Sequence, residues 1–137
     1  MLTLVIGGRA QGKTEYLREQ FGLNASEIAP AAAFAGGESR SAVGAEGEAA
    51  SAASPRALVH LEELVRLRGA KETLAALEGW LSAGERYICC DEVGLGVVPV
   101  DFAEREFRDE VGRTLCALAK RAERVFRVIA GIGQRIK

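Results

Sequence analysis

Eight residues near the start of the chain constrain its fold more than any other part of the sequence. Their order gives the G-x-x-x-x-G-K-[ST] spacing of a phosphate-binding P-loop. The apolar residues 2–6 before them predict a short buried strand, and residues 13–21 after them predict a helix. The predicted loop comprises Gly7, Gly8, Arg9, Ala10, Gln11, Gly12, Lys13 and Thr14. A strand that leads through such a loop into a helix is typical of an α/β fold.

The residue types in this loop predict a site for a nucleoside triphosphate. Glycines let backbone N–H groups turn inward around an anion, and the helix N-terminus adds its positive dipole end. Lys13 would contact the β- and γ-phosphates, and without a ligand we expect its ammonium group to face solvent. The Thr14 hydroxyl would join the coordination shell of Mg²⁺. We expect ATP or GTP as the nucleotide, because a P-loop contacts phosphates and does not distinguish the bases.

The rest of the chain alternates between strand and helix patterns. Residues 27–34 predict a second strand, which Pro30 would place at a sheet edge. A mostly parallel sheet with helices on both faces, in a single domain over residues 1–137, accounts for this alternation. Further helices are predicted at 57–68 (whose first residues also fit a strand), 70–83 and 102–124, and further strands at 87–90 and 125–130.

Composition separates one segment from the others and excludes some classes of function. Residues 35–54 consist almost entirely of Ala, Gly, Ser and Glu, which predicts a flexible loop. The net charge of −1 gives no reason to expect nucleic acid as a partner. No apolar run predicts a membrane span and no signal peptide pattern is present, so we expect a cytoplasmic protein. The cysteines, Cys89, Cys90 and Cys116, lack metal-ligand spacing, and we expect all three to be reduced and buried.

Two acidic residues follow the predicted strand at 87–90 and form the second chemical element of the sequence. Ligands of open α/β sheets lie beyond the carboxyl ends of the strands, where Asp91 and Glu92 would be found. A carboxylate there can hold a Mg²⁺-bound water or act on an attacking hydroxyl group. Asp91 and Glu92 are therefore candidate catalytic and metal-binding residues, together with Lys13 and Thr14. The alternation of the strand does not decide which acid faces the site.

The chain contains a single histidine, His60, whose role has two readings. An imidazole nitrogen forms covalent phosphoramidates, which makes His60 a candidate nucleophile. The residue also lies in a stretch of apolar residues at helical spacing, and this pattern favours a packing role.

Several motifs in the C-terminal half carry a resemblance to a known family. Glu92 to Pro99 read E-V-G-L-G-V-V-P, residues 105–109 read R-E-F-R-D, Gly112-Arg113 follow, and residues 131–137 close the chain with G-x-x-x-x-x-K. Together with the N-terminal GGRAQGKT, these motifs resemble the bifunctional adenosylcobinamide kinase/adenosylcobinamide-phosphate guanylyltransferases of cobalamin biosynthesis. The resemblance covers about the first twenty and the last fifty residues.

The resemblance implies a RecA-like P-loop fold, a trimer, and phosphoryl transfer from ATP or GTP to a hydroxyl group of a corrinoid, cobinamide. The family's guanylyl-accepting histidine lies in a basic H-x-x-x-R-P-like segment, whereas the corresponding interval here is the Ala/Gly/Ser-rich stretch without histidine. We therefore expect a kinase that forms no covalent guanylyl-enzyme intermediate. Two alternatives share the same motifs: a nucleotide-binding regulatory protein without corrinoid chemistry, and a kinase for another small molecule.

Overall fold

The computed structural model describes residues 1–34, 54–94 and 96–137. These residues contain a six-stranded sheet in the order β2-β3-β4-β1-β5-β6. All neighbouring strands are parallel except β5 and β6, which are antiparallel. The strands are β1 (Leu2–Gly7), β2 (Ile28–Pro30), β3 (Ala57–Val59), β4 (Arg86–Asp91), β5 (Arg124–Ile129) and β6 (Ile132–Arg135). The helices are α1 (Lys13–Phe21), α2 (Leu61–Leu81) and α3 (Phe102–Arg121).

The helices cover both faces of the sheet, as the sequence predicts. Leu4 and Ile88 face α2 and α3, whereas Val5 faces α1 together with Leu17 and Tyr87. Successive residues of a strand point to opposite faces, which produces two separate apolar clusters from one set of strands. The prediction of an α/β protein with a mostly parallel sheet is confirmed. None of the helices in the described segments is both long and apolar enough to cross a membrane.

The segment after α1 differs from its prediction. The strand predicted at 27–34 ends at Pro30, and Ala31–Phe34 forms a short 3-10 turn instead. The Phe34 ring packs against Trp80 with a centroid distance of 5.7 Å, so burial of this aromatic group favours the turn. β2 is an edge strand, in agreement with the position of its proline. The loop predicted at about 35–54 lies outside the described residues, apart from Ser54.

Residues 57–81 contain both a strand and a helix, the two alternatives that the sequence pattern left open for the start of this segment. The first three form β3, and α2 begins immediately after His60. Gly69 interrupts α2 with φ 76° and ψ 170°, and the Glu110 carboxylate of α3 accepts from the Ala70 backbone N–H just beyond it. Glu110 thus caps the second half of α2, since it satisfies an N–H that the broken helix cannot.

The chain ends in a hairpin that the sequence did not predict. Ala130 and Gly131 both have positive φ, 49° and 78°, and connect β5 to β6 as a two-residue turn. Positive φ at both central positions is the feature of a type I′ turn, which suits the twist of paired strands. Residues 132–135, for which no strand was predicted, therefore form an antiparallel strand that runs back along β5.

Candidate functional site

The P-loop encloses the carboxyl end of β1 and begins the helix α1. Gly12 adopts the left-handed conformation, with φ 80°, directly before α1. A β-carbon at Gly12 would lie 3.3 Å from the Gly131 α-carbon, so the hairpin turn also restricts this position. The hairpin holds the loop through Gln11, whose carbonyl accepts from the Gly131 N–H at 2.9 Å and whose Oε1 accepts from the Ala130 N–H at 2.8 Å. The backbone and the side chain of Gln11 therefore both tie the loop to the hairpin.

Lys13 lies inside this loop and not in solvent. Its Nζ donates to the Gly8 carbonyl at 2.7 Å and lies 2.6 Å from the Asp91 Oδ1. The residue is 8% exposed, so the expectation of a solvent-facing lysine is wrong. The reason is the sheet register, which pairs Gly7 of β1 with Asp91 of β4 and brings the carboxylate to the loop.

The two acids at the end of β4 have different cationic partners. Asp91 pairs with Lys13, whereas the Glu92 Oε2 lies 3.2 Å from Nε of Arg127 on β5. The Glu92 backbone N–H also donates to the Gly7 carbonyl at 2.9 Å. Both acids border the same cavity as the P-loop, and Asp91 is the one in contact with its lysine.

A second wall of the cavity is formed where β3 passes into α2. His60 has φ 57° and its side chain is 51% exposed, so the packing role that its apolar neighbours favour is wrong. Its Nδ1 lies 3.3 Å from Oε1 of Glu62, and the other oxygen of Glu62 accepts from the Asp91 backbone N–H at 3.0 Å. Glu62 therefore links the histidine to the end of β4. We call His60, Glu62 and Glu63 the α2 wall, and residues 7–14 the P-loop wall.

The cavity between the two walls has a volume of about 750 Å³. Arg66 and Phe107 border its outer end, with the Arg66 guanidinium 3.8 Å from the centre of the Phe107 ring. Cys89 lies at its inner end, and burial raises the pKa of its thiol to about 12. Burial also raises the pKa of Cys90 well above its usual value. Neither thiol is a nucleophile at neutral pH, since the thiolate is the reactive form.

The three cysteines do not share one environment. Cys89 and Cys90 are buried on opposite faces of β4, as the alternation of a strand predicts. Cys116 is exposed, so the expectation that all three are buried is wrong for this residue. It lies on the outer face of the amphipathic helix α3.

Several residues that border the cavity carry oxygen atoms suited to a divalent cation. Thr14, Asp91 and Glu92 border it, as the predicted metal site requires. On the α2 wall, one ligand-type atom from each of His60, Glu62 and Glu63 lies within 4.8 Å of the others. Carboxylates at that position also suit the positive end of the α2 dipole, which explains them without an ion.

The loop after β4 is held by the two arginines of the R-E-F-R-D motif. Arg105 donates to the carbonyls of Pro99 and Val100 at 3.1 and 2.8 Å. Arg108 donates to the carbonyls of Gly94 and Val97. The motif therefore stabilises the backbone of the E-V-G-x-G-x-V-P segment, which leads away from Glu92.

Sequence reasoning missed Glu62, Glu63 and Arg127, which belong to this site. No motif in the sequence pointed to Glu62. Its position could have done so, because the first turn of a helix that follows a strand lies at the carboxyl edge of a sheet, where ligands bind. Arg127 did carry a signal, because it is the one charged residue in the otherwise apolar run 125–130. In the structure the partner of this charge is Glu92, and the Arg127 side chain is 38% exposed.

Known proteins resemble this chain over part of its length. The bifunctional adenosylcobalamin biosynthesis protein CobP of Pseudomonas aeruginosa is 39% identical over 72 residues, which cover 53% of this chain and 41% of that protein. The CobU proteins of the same description from Salmonella typhimurium and Escherichia coli are each 47% identical over 47 residues, or 34% of this chain and 26% of each relative. The chain thus spans between about a quarter and two fifths of the curated relatives it matches.

A family model gives broader coverage than these pairwise matches. The model described as cobinamide kinase / cobinamide phosphate guanyltransferase matches residues 58–136, from β3 through the α2 wall and the acids of β4 to the final hairpin. The P-loop wall precedes the matched segment and adds an independent motif. Because the match covers more than half of the chain, this protein belongs to the cobinamide kinase / cobinamide phosphate guanyltransferase family.

Proposed function

We propose that the cavity binds ATP or GTP and transfers the γ-phosphoryl group to a hydroxyl group of cobinamide. The observation that carries this proposal is the placement of Lys13, buried in a P-loop and in contact with a carboxylate from the neighbouring strand. The family description names a kinase that acts on cobinamide. The motif and the family therefore support the same chemistry from different parts of the chain.

The P-loop wall would supply most of the electrostatic stabilisation of the phosphate groups during transfer. Phosphoryl transfer requires little covalent chemistry from the protein, so positioning and charge stabilisation account for most of the catalysis. The backbone N–H groups of the loop and the N-terminus of α1 would hold the phosphate oxygens. Lys13 would exchange its contact with Asp91 for the β- and γ-phosphates. The exchange suits the site, because a nucleotide brings more negative charge than one carboxylate.

The donor set fits the Mg²⁺ that such nucleotides carry. Thr14 and Asp91 offer a hydroxyl and a carboxylate oxygen, and Mg²⁺ prefers oxygen ligands. The ion would supply positive charge between the phosphate groups, while Lys13, once released, acts on the same oxygens. Glu92 is the second candidate ligand, although its contact with Arg127 holds it towards β5.

Several finer expectations stay predictions. They are the choice between ATP and GTP, the absence of a guanylyl-enzyme intermediate, the trimeric state and the cytoplasmic location. Two other functions fit the P-loop equally well: regulation by nucleotide binding alone, and phosphorylation of another small molecule. Family membership favours cobinamide over both.

Nucleotide turnover with and without cobinamide tests the proposal. ATP and GTP are supplied separately with Mg²⁺, and release of the nucleoside diphosphate is followed. We expect turnover to rise several-fold when cobinamide is added, with at least one of the two nucleotides. Tight nucleotide binding with the same slow turnover in both conditions would favour the regulatory alternative. Stimulation by a different hydroxyl compound, but not by cobinamide, would favour the other kinase.

A further inference from the structure

We propose that His60 is the general base that removes the proton from the attacking hydroxyl, with Glu62 holding its ring in place. This inference rests on the proposed kinase function and names a residue for one of its steps. The first observation is position: β3 lies beside β4 in the sheet, so His60 at its carboxyl end borders the same cavity as Lys13 and Asp91. A base for the acceptor must stand near the transferred phosphoryl group, and this wall faces the P-loop.

The second observation is the backbone of His60. Its φ of 57° and ψ of 49° lie in the left-handed region, which strains the backbone of a residue that carries a β-carbon. The side chain makes no capping hydrogen bond to α2, although His60 occupies the N-cap position. The His60 carbonyl accepts from the Glu63 N–H at 3.1 Å, whereas the imidazole takes no part in capping and stays half-exposed at the cavity.

The third observation is the contact between His60 and Glu62. A carboxylate only accepts hydrogen bonds, so the 3.3 Å contact assigns the proton of the neutral ring to Nδ1 and leaves Nε2 without one. Glu62 is itself held, because the Asp91 backbone N–H donates to its second oxygen. A histidine oriented by a buried carboxylate, with a free Nε2, is equipped to accept a proton.

The other charged groups around the cavity are less suited to this role. Across from His60, Asp91 contacts Lys13 and Glu92 contacts Arg127. Arg9 and Lys13 are cations with no proton-accepting form at neutral pH. An imidazole accepts a proton at neutral pH and releases it again, as a base must in each cycle.

On its own helix, His60 is accompanied by Glu63 and Arg66, and Glu15 lies on α1 across the cavity. Arg66 pairs with Glu104 of α3 at 2.8 Å. The cation beside His60 on α2 therefore already has a carboxylate partner of its own.

The step balances without any further reactant. The acceptor oxygen forms a bond to the γ-phosphorus while its proton passes to Nε2 of His60. The bond between the γ-phosphorus and the oxygen bridging it to the β-phosphorus breaks, and the nucleoside diphosphate leaves with that electron pair. The protonated ring then returns its proton to solvent, through its exposed edge.

The variants His60→Asn and Glu62→Gln test this role. Asparagine tolerates the left-handed conformation and can cap α2, so the first variant keeps the fold while it removes the base. Glutamine keeps an acceptor for the Asp91 N–H in the second. Glu72→Gln on the exposed side of α2 serves as the matched control, because Glu72 is exposed and outside the cavity.

We expect His60→Asn to lower kcat about 10²- to 10⁴-fold, with nucleotide affinity by calorimetry within about twofold of wild type. The rise of kcat with pH in the wild type, as the ring loses its proton, is expected to vanish in this variant. Glu62→Gln should retain that rise, with a smaller loss of kcat. Equal kcat and equal pH profiles for wild type and His60→Asn would overturn the proposal.

Basal hydrolysis of the nucleotide, with water as acceptor, is measured in parallel to separate this proposal from the kinase function. Loss of basal hydrolysis in His60→Asn, without stimulation of the wild type by cobinamide, would support the base and contradict cobinamide as substrate. Stimulation by cobinamide that survives in His60→Asn would support the kinase and contradict the base. Nucleotide radiolabel that stays on the denatured wild-type protein, and is absent from denatured His60→Asn, would show that His60 is a covalent nucleophile. That result would contradict its role as a general base.

Discussion

The two walls of the cavity are built by different means, and they differ in how directly the sequence describes them. The P-loop wall is one contiguous segment in which each glycine and the lysine stand at a fixed spacing. The α2 wall depends on three strands lying side by side, because only the sheet brings the ends of β3, β4 and β1 together. The first wall is therefore evident from local spacing, whereas the second emerges only with the topology.

This contrast also concerns chemistry. The P-loop wall presents backbone N–H groups and a cation, which suit phosphate. The α2 wall presents an imidazole and two carboxylates, which suit a group that carries a proton. We infer that the first wall determines nucleotide binding and the second determines turnover. Lys13→Ala tests the first half of this division and His60→Asn the second, and the remaining predictions concern the strands that support the two walls.

Among variants of the P-loop wall and its supporting strands, the largest effect is expected from Lys13→Ala. Triphosphate affinity should fall about 100-fold, which corresponds to roughly 3 kcal/mol of charge-assisted contacts. The variant should also lose about 1–3 kcal/mol of unfolding free energy, because Asp91 would be left in a largely buried position without its partner. Calorimetric titration and denaturant unfolding measure the two effects.

The matched control is Lys71→Ala, which removes an exposed lysine of α2. We expect it to change neither quantity measurably. Unchanged affinity in Lys13→Ala would contradict the assignment of the P-loop wall to phosphate binding.

A second prediction concerns the backbone that supports the P-loop wall. A β-carbon at Gly7 would lie 2.4 Å from the carbonyl oxygen of Val128, a backbone atom that cannot move alone. We expect Gly7→Ala to lower the unfolding free energy by about 1–3 kcal/mol, as overpacking does in well-packed interiors. Gly112→Ala is the control, since nothing lies within 4 Å of a β-carbon there, and alanine favours its helix. Equal stability of both variants would show that β1 and β5 are not packed as described.

The smallest effect concerns Cys89, which lies at the inner end of the cavity between the two walls. Burial raises the pKa of Cys89 to about 12, above its ordinary value of 9.0. Because the unfolded chain releases this proton first, stability is fully present below pH 9 and falls as pH rises towards 12. Unfolding free energy measured at several pH values between 8 and 11 should show a shallower decline in Cys89→Ala than in wild type. Parallel declines would contradict the burial of this thiol.

The fold was predictable where local patterns suffice. The strand and helix around the P-loop, the break at Gly69 and the acids ending β4 all follow from short stretches of sequence. The hairpin of β5 and β6 could not be predicted, because Ala130 carries no turn signal although it adopts positive φ together with Gly131. The 3-10 turn at residues 31–34 depends on the contact of Phe34 with Trp80, which lies far along the chain.

The site follows the same rule. Lys13 and Asp91 were both predicted, but their contact depends on the register between β1 and β4. His60 lies among apolar residues that do belong to the core, and only its left-handed backbone directs it out of that pattern. Hydrophobic periodicity describes the average burial of a stretch of residues. It does not determine the burial of a single residue at the junction of a strand and a helix.

Transfer of a γ-phosphoryl label tests the central claim most directly. The protein is incubated with Mg²⁺, cobinamide and ATP or GTP labelled at the γ-phosphorus, then denatured, and the small molecules are separated from the protein. Our account predicts label on cobinamide and none on the denatured chain, with loss of that product in Lys13→Ala. Label found only in free inorganic phosphate, at a rate indifferent to cobinamide, would contradict it.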